Sequence, residues 1–290
     1  MIFFVTVNYY SIDLVESLIK SIRSNILVDY RIIIVNNSDD DFSLCEFIDD
    51  SVFIIDSGTN LGFGAGCNLA ISAIFEIDRN ALIWLINPDA TIEKDADQYI
   101  LECIRNEPLV SILGTQIQDS NKNIWFSEGS FNKWTGYLGH SLSNENSDTQ
   151  RIGITKCRWV CGCSMIINLS QFDHCPQFDP NYFLYAEDAD LCERYYQQNY
   201  YIAVTNRVLV THQVSSVIGK DKKNMYFQYT FSRLYFLRRH STFLGMAIYM
   251  AYLIFKILLT LPSNAPNALG RLQGFQKFLN QIIQSSALVR

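Results

Sequence analysis

Proline is scarce: the 290 residues contain 6, too few for a proline-rich linker or repeat. Charge is also low, at 18% of residues, which excludes a disordered chain and a charged coiled coil. Basic residues are the minority, 23 against 29 acidic, for a net charge of −6. No basic excess argues for nucleic acid as a partner, so none is expected. The opening run Met1-Ile2-Phe3-Phe4-Val5-Thr6-Val7 lacks a basic flank and meets polar Asn8, so it is expected to be a buried strand and not a signal peptide. What the chain has in quantity is apolar material, 49% hydrophobic residues with 16 Tyr and 19 Phe, enough for a sizeable core. The eight cysteines are expected to be reduced in a cytosolic protein. Cys157, Cys161 and Cys163 sit close together, but their segment reads as a strand whose alternate side chains splay, so no zinc site is expected there.

The first hundred residues alternate between two periodicities. Short apolar runs at Phe3–Val7, Arg31–Val35, Val52–Ile55 and Leu82–Ile86 read as strands. Leu14, Val15, Leu18, Ile19 and Ile22 recur at helical spacing behind Ser11, which suits an N-cap. A second helix is expected after Gly66, with Leu69, Ala70, Ala73, Ile74 and Ile77 on its face. This βαβαβ rhythm predicts an α/β fold with an open, mostly parallel sheet and right-handed crossovers. Ligands of such sheets gather at the carboxyl ends of the strands, here Asn8, Asn36-Asn37-Ser38-Asp39 and Asn87-Pro88-Asp89. From about 115 to 155 the chain turns polar, with a loop expected at Asn144–Asp148; a strand is expected at Arg158–Ile167 and a helix from about Glu187.

Several segments could carry chemistry. Asp89 ends an apolar strand, where a carboxylate would meet a bound ligand's phosphates through a divalent ion, although a strand-end Asp is more often a turn or cap residue. The run Glu187-Asp188-Ala189-Asp190 places three acids at a helix start, complementing the helix dipole or, in the aromatic setting of Phe178–Phe183, supplying a desolvated general base. His212 follows a strand. The loop Gly58–Asn68 is rich in glycine but lacks a Gly-Lys-Ser/Thr ending, so it is not a Walker loop. It does not follow the first strand, as a dinucleotide fingerprint would. Its glycines allow backbone to approach a ligand closely and lead into a helix N-terminus suited to anions.

Taken together and in order, Val7-Asn8-Tyr9, Val35-Asn36-Asn37-Ser38, Asn60-Leu61-Gly62-Phe63-Gly64-Ala65-Gly66-Cys67-Asn68, Leu85-Ile86-Asn87-Pro88-Asp89, Gly162-Cys163-Ser164, Glu187-Asp188-Ala189-Asp190 and His212 resemble the inverting family 2 glycosyltransferases, in particular the rhamnosyltransferase-like branch of bacterial polysaccharide synthesis. The resemblance covers roughly residues 1–240. It implies a GT-A fold, Rossmann-like with flanking helices, over 1–223; past that the pattern turns helical and aromatic, and a helical, membrane-associating region is expected over 224–290. The resemblance further implies Mg²⁺ or Mn²⁺ held by Asp89 and His212, and an Asp188 base that deprotonates an acceptor hydroxyl with Glu187 orienting it. Asn8, Asn36, Asn60, Gly62, Asn87 and Asp89 would surround the donor, with Arg194 a partner for the acids and Trp125 or Trp159 against the acceptor sugar. The implied substrates are a nucleotide sugar, dTDP-rhamnose by the branch, and a lipid-linked saccharide; UDP-hexose and galactofuranose donors, or nucleotidyl transfer, are the alternatives. Two departures stand out. Asn36-Asn37 replaces the family's Asp-Asn, and Asn87-Pro88-Asp89 keeps one strong metal ligand of the usual Asp-x-Asp.

In the last third, Arg233, Arg238, Arg239 and His240 precede a segment from Thr242 to Ala268 in which Lys256 is the only charge. The segment can lie in a membrane interface, span a bilayer, or be buried in the core or in a homodimer. Basic residues beside an aromatic-aliphatic run suit the anionic inner leaflet, so the expectation is a cytoplasmic protein held peripherally on the inner membrane.

Overall fold

The computed structural model describes residues 1–39, 43–142, 152–213 and 221–287. They form two compact units. The first comprises Met1–Ser130, His140–Asn181 and Asp188–Val214; the second comprises Phe131–Gly139, Tyr182–Glu187 and Ser215–Arg290.

The first unit is built on a sheet whose parallel half is β1 (Ile2–Asn8), β2 (Tyr30–Asn36), β3 (Val52–Asp56) and β4 (Leu82–Ile86). Branched side chains that pack well on a pleated, fully covered sheet dominate these strands, and all five residues of β4 are buried. Helices α1 (Ile12–Asn25) and α2 (Phe63–Ile77) make the crossovers. After β4 come β5 (Ala90–Ile92), α3 (Ala96–Asn106), β6 (Val110–Asp119), β7 (Ile124–Phe126), the hairpin β8 (Gly129–Asn132) and β9 (Tyr137–His140), of which Phe131–Gly139 belongs to the second unit, then β10 (Ile154–Lys156), β11 (Ser164–Asn168), α4 (Glu187–Gln197) and β12 (Tyr201–His212). The long sheet runs in the order β10-β12-β6-β11-β4-β1-β2-β3. β11 lies antiparallel between β4 and β6, while β12 is parallel to β6. β1 is flanked by β2 on one side and β4 on the other, so the strand order switches direction there and opens a crevice at the carboxyl ends.

Three local expectations are corrected. Ser11 occupies the N-cap of α1 but makes no side-chain cap; its hydroxyl donates instead to Asn8 Oδ1 at 2.9 Å. The second helix begins at Phe63, not after Gly66, because the glycines are packing positions: a Cβ on Gly64 would stand 2.9 Å from that of Phe178, and one on Gly66 3.3 Å from Asn37 Nδ2 and Val7. Arg158–Cys163 is not strand; the chain turns at Gly162–Cys163 and regular pairing starts at Ser164. The Asn144–Asp148 loop lies outside the described residues.

The second unit consists mainly of α5 (Lys222–His240), α6 (Phe243–Thr260) and α7 (Ala265–Ala287). Asp221 and Thr242 cap α5 and α6 through side-chain bonds to Asn224 N and Gly245 N, each satisfying a free N–H of a first turn. α6 alone is long and apolar enough, among the described residues, to cross a membrane, and only 17% of it is buried. Phe243, Phe255, Leu258 and Leu259 are among its exposed apolar side chains.

Candidate active site

The ends of β1 and β2 are locked by amides. Asn8 Nδ2 donates to Asn36 Oδ1 and Ser38 Oγ, both at 3.1 Å, while Asn8 Oδ1 accepts from the N–H and hydroxyl of Ser11 at 3.0 and 2.9 Å. Asn37 Nδ2 donates to the Gly62 carbonyl at 2.9 Å, and Asn60 Oδ1 accepts the Gly62 N–H at 3.0 Å. Asn8, Asn36 and Asn60 thus use their side chains on the scaffold: Asn8 and Asn36 tie the ends of β1 and β2 together, and Asn60, with Asn37, fixes the glycine-rich loop at Gly62. Asn37 Oδ1 stays buried without a hydrogen-bond partner, an acceptor whose desolvation a ligand donor would relieve.

Asp89 and His212 meet at the end of β4. Pairing of β5 with β12 sets His212 opposite Ala90, and its Nε2 lies 3.0 Å from Asp89 Oδ1. The ring of Trp125 stands 4.7 Å from the His212 ring, and His212 Nδ1 is buried with no hydrogen-bond partner. No group of three or more His, Cys, Asp or Glu among the described residues is arranged to hold a metal ion. A single carboxylate with one imidazole does not make a closed cage, but it fits a hard divalent ion whose remaining ligands are phosphate oxygens and water. Trp159 is different: it is buried, and its indole N–H donates to the Ser130 carbonyl at 3.2 Å.

The turn Cys161-Gly162-Cys163 links Asp89 with Asp188. On one side the Asn87 N–H donates to the Cys163 carbonyl at 3.1 Å. On the other the Gly162 N–H donates to Asp188 Oδ2 at 2.9 Å. A side chain at Gly162 would run into the Phe63 ring at 2.9 Å, with Asp188 Cβ 3.5 Å away, so only glycine allows this approach. The buried Cys163 thiol is pushed well up in pKa, first by desolvation and then by the neighbouring Cys161, Asp89 and Asp188. Asn68 and Phe178 exchange two hydrogen bonds, 2.9 and 2.8 Å, pinning the approach to α4 against α2.

Asp188 has its pKa raised by burial, opposed by the backbone N–H groups of Gly162 and Ala189. The acids around it are occupied otherwise. Asp190 is fully buried and paired with Arg194 at 2.7 Å, and Glu193 receives Arg158 through two bonds of 2.6 and 2.7 Å. Asp188 alone among the three is held by backbone donors and no cation in these contacts, which suits a carboxylate that must take a proton. Glu187 is buried and belongs by its contacts to the second unit. It follows two non-glycine residues in the left-handed region, Tyr185 at φ 71° and Ala186 at φ 62°. Such conformations cost of order 1–3 kcal/mol each and cluster at functional segments. The sequence motif Gly162-Cys163-Ser164 was visible, but the role of its turn was not: a backbone N–H leaves no mark on composition.

Residues 2–169 match glycosyl transferase family 2. The chain belongs to that family. It is 24% identical over 196 residues to an N-acetylglucosaminyl-diphospho-decaprenol L-rhamnosyltransferase of Mycobacterium tuberculosis, covering 59% of this chain and 62% of the relative. It is 26% identical over 192 residues to the rhamnosyltransferase WbbL of Escherichia coli, covering 62% of this chain and 72% of the relative. A hexosyltransferase of low-salt glycan biosynthesis, Agl10 of Haloferax volcanii, is 26% identical over 200 residues, with 67% and 61% covered. The match thus spans less than two thirds of the mycobacterial relative. Among solved structures, GalNAc-T7 with UDP, GalNAc and Mn²⁺ superposes with a TM-score of 0.60 at 11% identity, over 82% of this chain and 47% of that one. S. aureus TarS 1-349 gives 0.56 at 12% identity, over 98% and 80%. The family 2 chain has the GT-A fold, a mixed sheet between helices with helices at its C-terminal end.

Proposed function

We propose that this family 2 protein is an inverting glycosyltransferase that moves L-rhamnose from dTDP-rhamnose to a hydroxyl of a lipid-linked saccharide in bacterial surface polysaccharide synthesis. The observation that carries the reading is the pair of hydrogen bonds, Gly162 to Asp188 and Asn87 to Cys163, by which one turn ties the candidate base to the strand end that bears Asp89. In the proposed step Asp188 accepts the acceptor's O–H proton as that oxygen bonds to the anomeric carbon. The bond from that carbon to the donor's diphosphate breaks on the opposite face, and the nucleoside diphosphate leaves with the electron pair. Asp188 is left neutral, its proton then lost to solvent. One positioned base of this kind contributes roughly 10²–10⁴-fold in rate. Glu187 would orient it.

Asp89 and His212 would hold Mg²⁺ or Mn²⁺, and the bound ion would neutralise charge developing on the departing diphosphate. Asn87, Asn8, Asn36, Asn60 and Gly62 would enclose the donor. Support for rhamnose comes from the names of two relatives. Support for a lipid-linked acceptor comes from the mycobacterial relative's name and from the exposed apolar face of α6, which would rest on the cytoplasmic side of the inner membrane. The domain reading is a GT-A catalytic region over 1–223 and a membrane-associating helical region over 224–290.

A UDP-hexose donor is the second reading, favoured by the hexosyltransferase relative and by the UDP named for two structural neighbours. Calorimetric titration of dTDP, UDP and GDP with Mg²⁺ decides between them: tightest binding of dTDP is expected, and a clear preference for UDP overturns the rhamnose assignment. Nucleoside diphosphate is the expected product; pyrophosphate would instead mean nucleotidyl transfer.

A further inference from the structure

The second unit contains a cavity of about 860 Å³ that no step above uses. Among the described residues its wall carries six tyrosines, including Tyr185, Tyr229, Tyr249 and Tyr252, and two cations, Arg233 and Arg271, with no acidic residue. That size accommodates a drug-sized ligand and is far more than a bare ion needs.

Arg233 is the unusual member. Its side chain is buried, at 7% exposure. Its two terminal nitrogens donate to the carbonyls of Leu138 at 3.0 Å and Gly136 at 3.1 Å, and Nε is buried with no hydrogen-bond partner. The guanidinium lies 5.4 Å from the centre of the Tyr249 ring. Among the described residues, the groups that act on it electrostatically are tyrosines 229, 249, 137 and 252, and no carboxylate is among them. Carbonyls and ring faces soften the desolvation of a buried cation but leave its charge unbalanced. Arg271 adds a second positive charge, fixed over the Tyr226 ring at 4.8 Å and by Asn267 at 2.6 Å. The wall therefore asks for an anion, and guanidinium forks favour phosphate. Ile248 and Tyr252 line the cavity and are also exposed on α6, so its rim runs into the apolar outer face of that helix.

We propose that this cavity binds the phosphate or diphosphate end of a prenyl-linked acceptor, with the anion between Arg233 and Arg271, the tyrosines against the first sugar or isoprene unit, and the hydrocarbon leaving along α6. The assignment rests on the lipid-linked acceptor of the proposed function and adds how that acceptor is recognised. It also corrects the reading of Arg233 as a surface cation for lipid headgroups: Arg238 and Arg239 are exposed, Arg233 is not.

The test uses the full chain and farnesyl diphosphate as a soluble probe, titrated by calorimetry with and without saturating dTDP and Mg²⁺. Binding is expected in both conditions, with inorganic pyrophosphate and farnesol each at least tenfold weaker. Arg271→Gln is expected to weaken farnesyl diphosphate at least tenfold while leaving dTDP affinity within about twofold; Arg233→Lys gives the same pattern if it folds, as judged by near-UV circular dichroism. Displacement of farnesyl diphosphate by dTDP, equal affinity for pyrophosphate, or an unchanged affinity in Arg271→Gln overturns the proposal. Failure of dTDP, UDP and GDP alike to bind the wild type would instead strike the proposed function, and the titration without nucleotide would still decide the cavity.

Discussion

Asp188 accepts the Gly162 backbone N–H at 2.9 Å, and that bond joins the start of α4 to the turn that also meets the end of β4. An amide at position 188 keeps the shape and an acceptor oxygen but cannot take a proton. Asp188→Asn is therefore expected to lower kcat by about 10²–10⁴-fold with donor Kd essentially unchanged. Measured turnover within a few-fold of wild type would remove Asp188 from the chemistry.

Burial raises the Asp188 pKa above its ordinary 3.8, and the base works only when ionised. Activity is expected to fall with decreasing pH along an acid limb lying above the usual carboxylate range. The same shift has a stability consequence with its own sign. A raised folded pKa contributes stability that is present below the unfolded value and lost as pH rises through the folded one. The Tm of Asp188→Asn relative to wild type should therefore climb with pH across that window, a trend readable by scanning fluorimetry in a buffer series.

Much of this arrangement was legible in the sequence because it follows chain order. The four parallel strands come from short, branched apolar runs and α1 from a period-3.6 pattern, which local sterics and burial impose directly. Asp89, Asp188 and His212 were reachable as strand-end and helix-start polar residues. The use of Asn8 on Asn36 was hidden, since partners 28 residues apart reveal themselves only once β1 and β2 are paired. The Tyr–Arg cavity was hidden for a related reason: Tyr229 and Arg233 share a helix face, but Tyr185, Gly136 and Arg271 come from distant parts of the chain. Gly64 and Gly66 misled as loop glycines because their reason is the approach of Phe178 and Val7.

Asp89 and His212 offer only two protein donors at 3.0 Å from each other, so the ion they suit is completed by substrate. Removing metal should then weaken donor binding more than it disturbs the fold. Chelation with EDTA is expected to reduce nucleoside diphosphate affinity at least tenfold with little change in Tm, and His212→Ala should blunt that metal response. Equal affinity with and without metal would show that the pair serves another purpose.

Arg158 grips Glu193 with two short bonds, and the Glu193 side chain is 2% exposed. Removing the cation strands a buried charge, which costs about 3 kcal/mol. Arg158→Ala is expected to lower Tm by roughly 6–12 °C, taking 2–4 °C per kcal/mol for a chain of this class. Glu193→Gln should be milder, because it leaves no anion behind and Arg158 retains an oxygen to bond. Similar losses in both variants would assign the effect to packing.

The outer face of α6 exposes Phe255 at 60% and Leu258 at 65% with a single charge, Lys256, between them. Neither residue lines the Tyr–Arg cavity, so they report on membrane contact alone. Each large apolar side chain moved out of water contributes about 1.5–3 kcal/mol, and a carboxylate in its place is repelled by anionic lipid. Phe255→Glu combined with Leu258→Glu is expected to cut the fraction sedimenting with phosphatidylglycerol vesicles at least tenfold, leaving dTDP affinity intact. Raising salt on the wild type should weaken vesicle binding only in part, since Arg238 and Arg239 supply the screened share and α6 the rest. Wild-type protein that stays in the supernatant at low salt would rule out the peripheral reading of this helix.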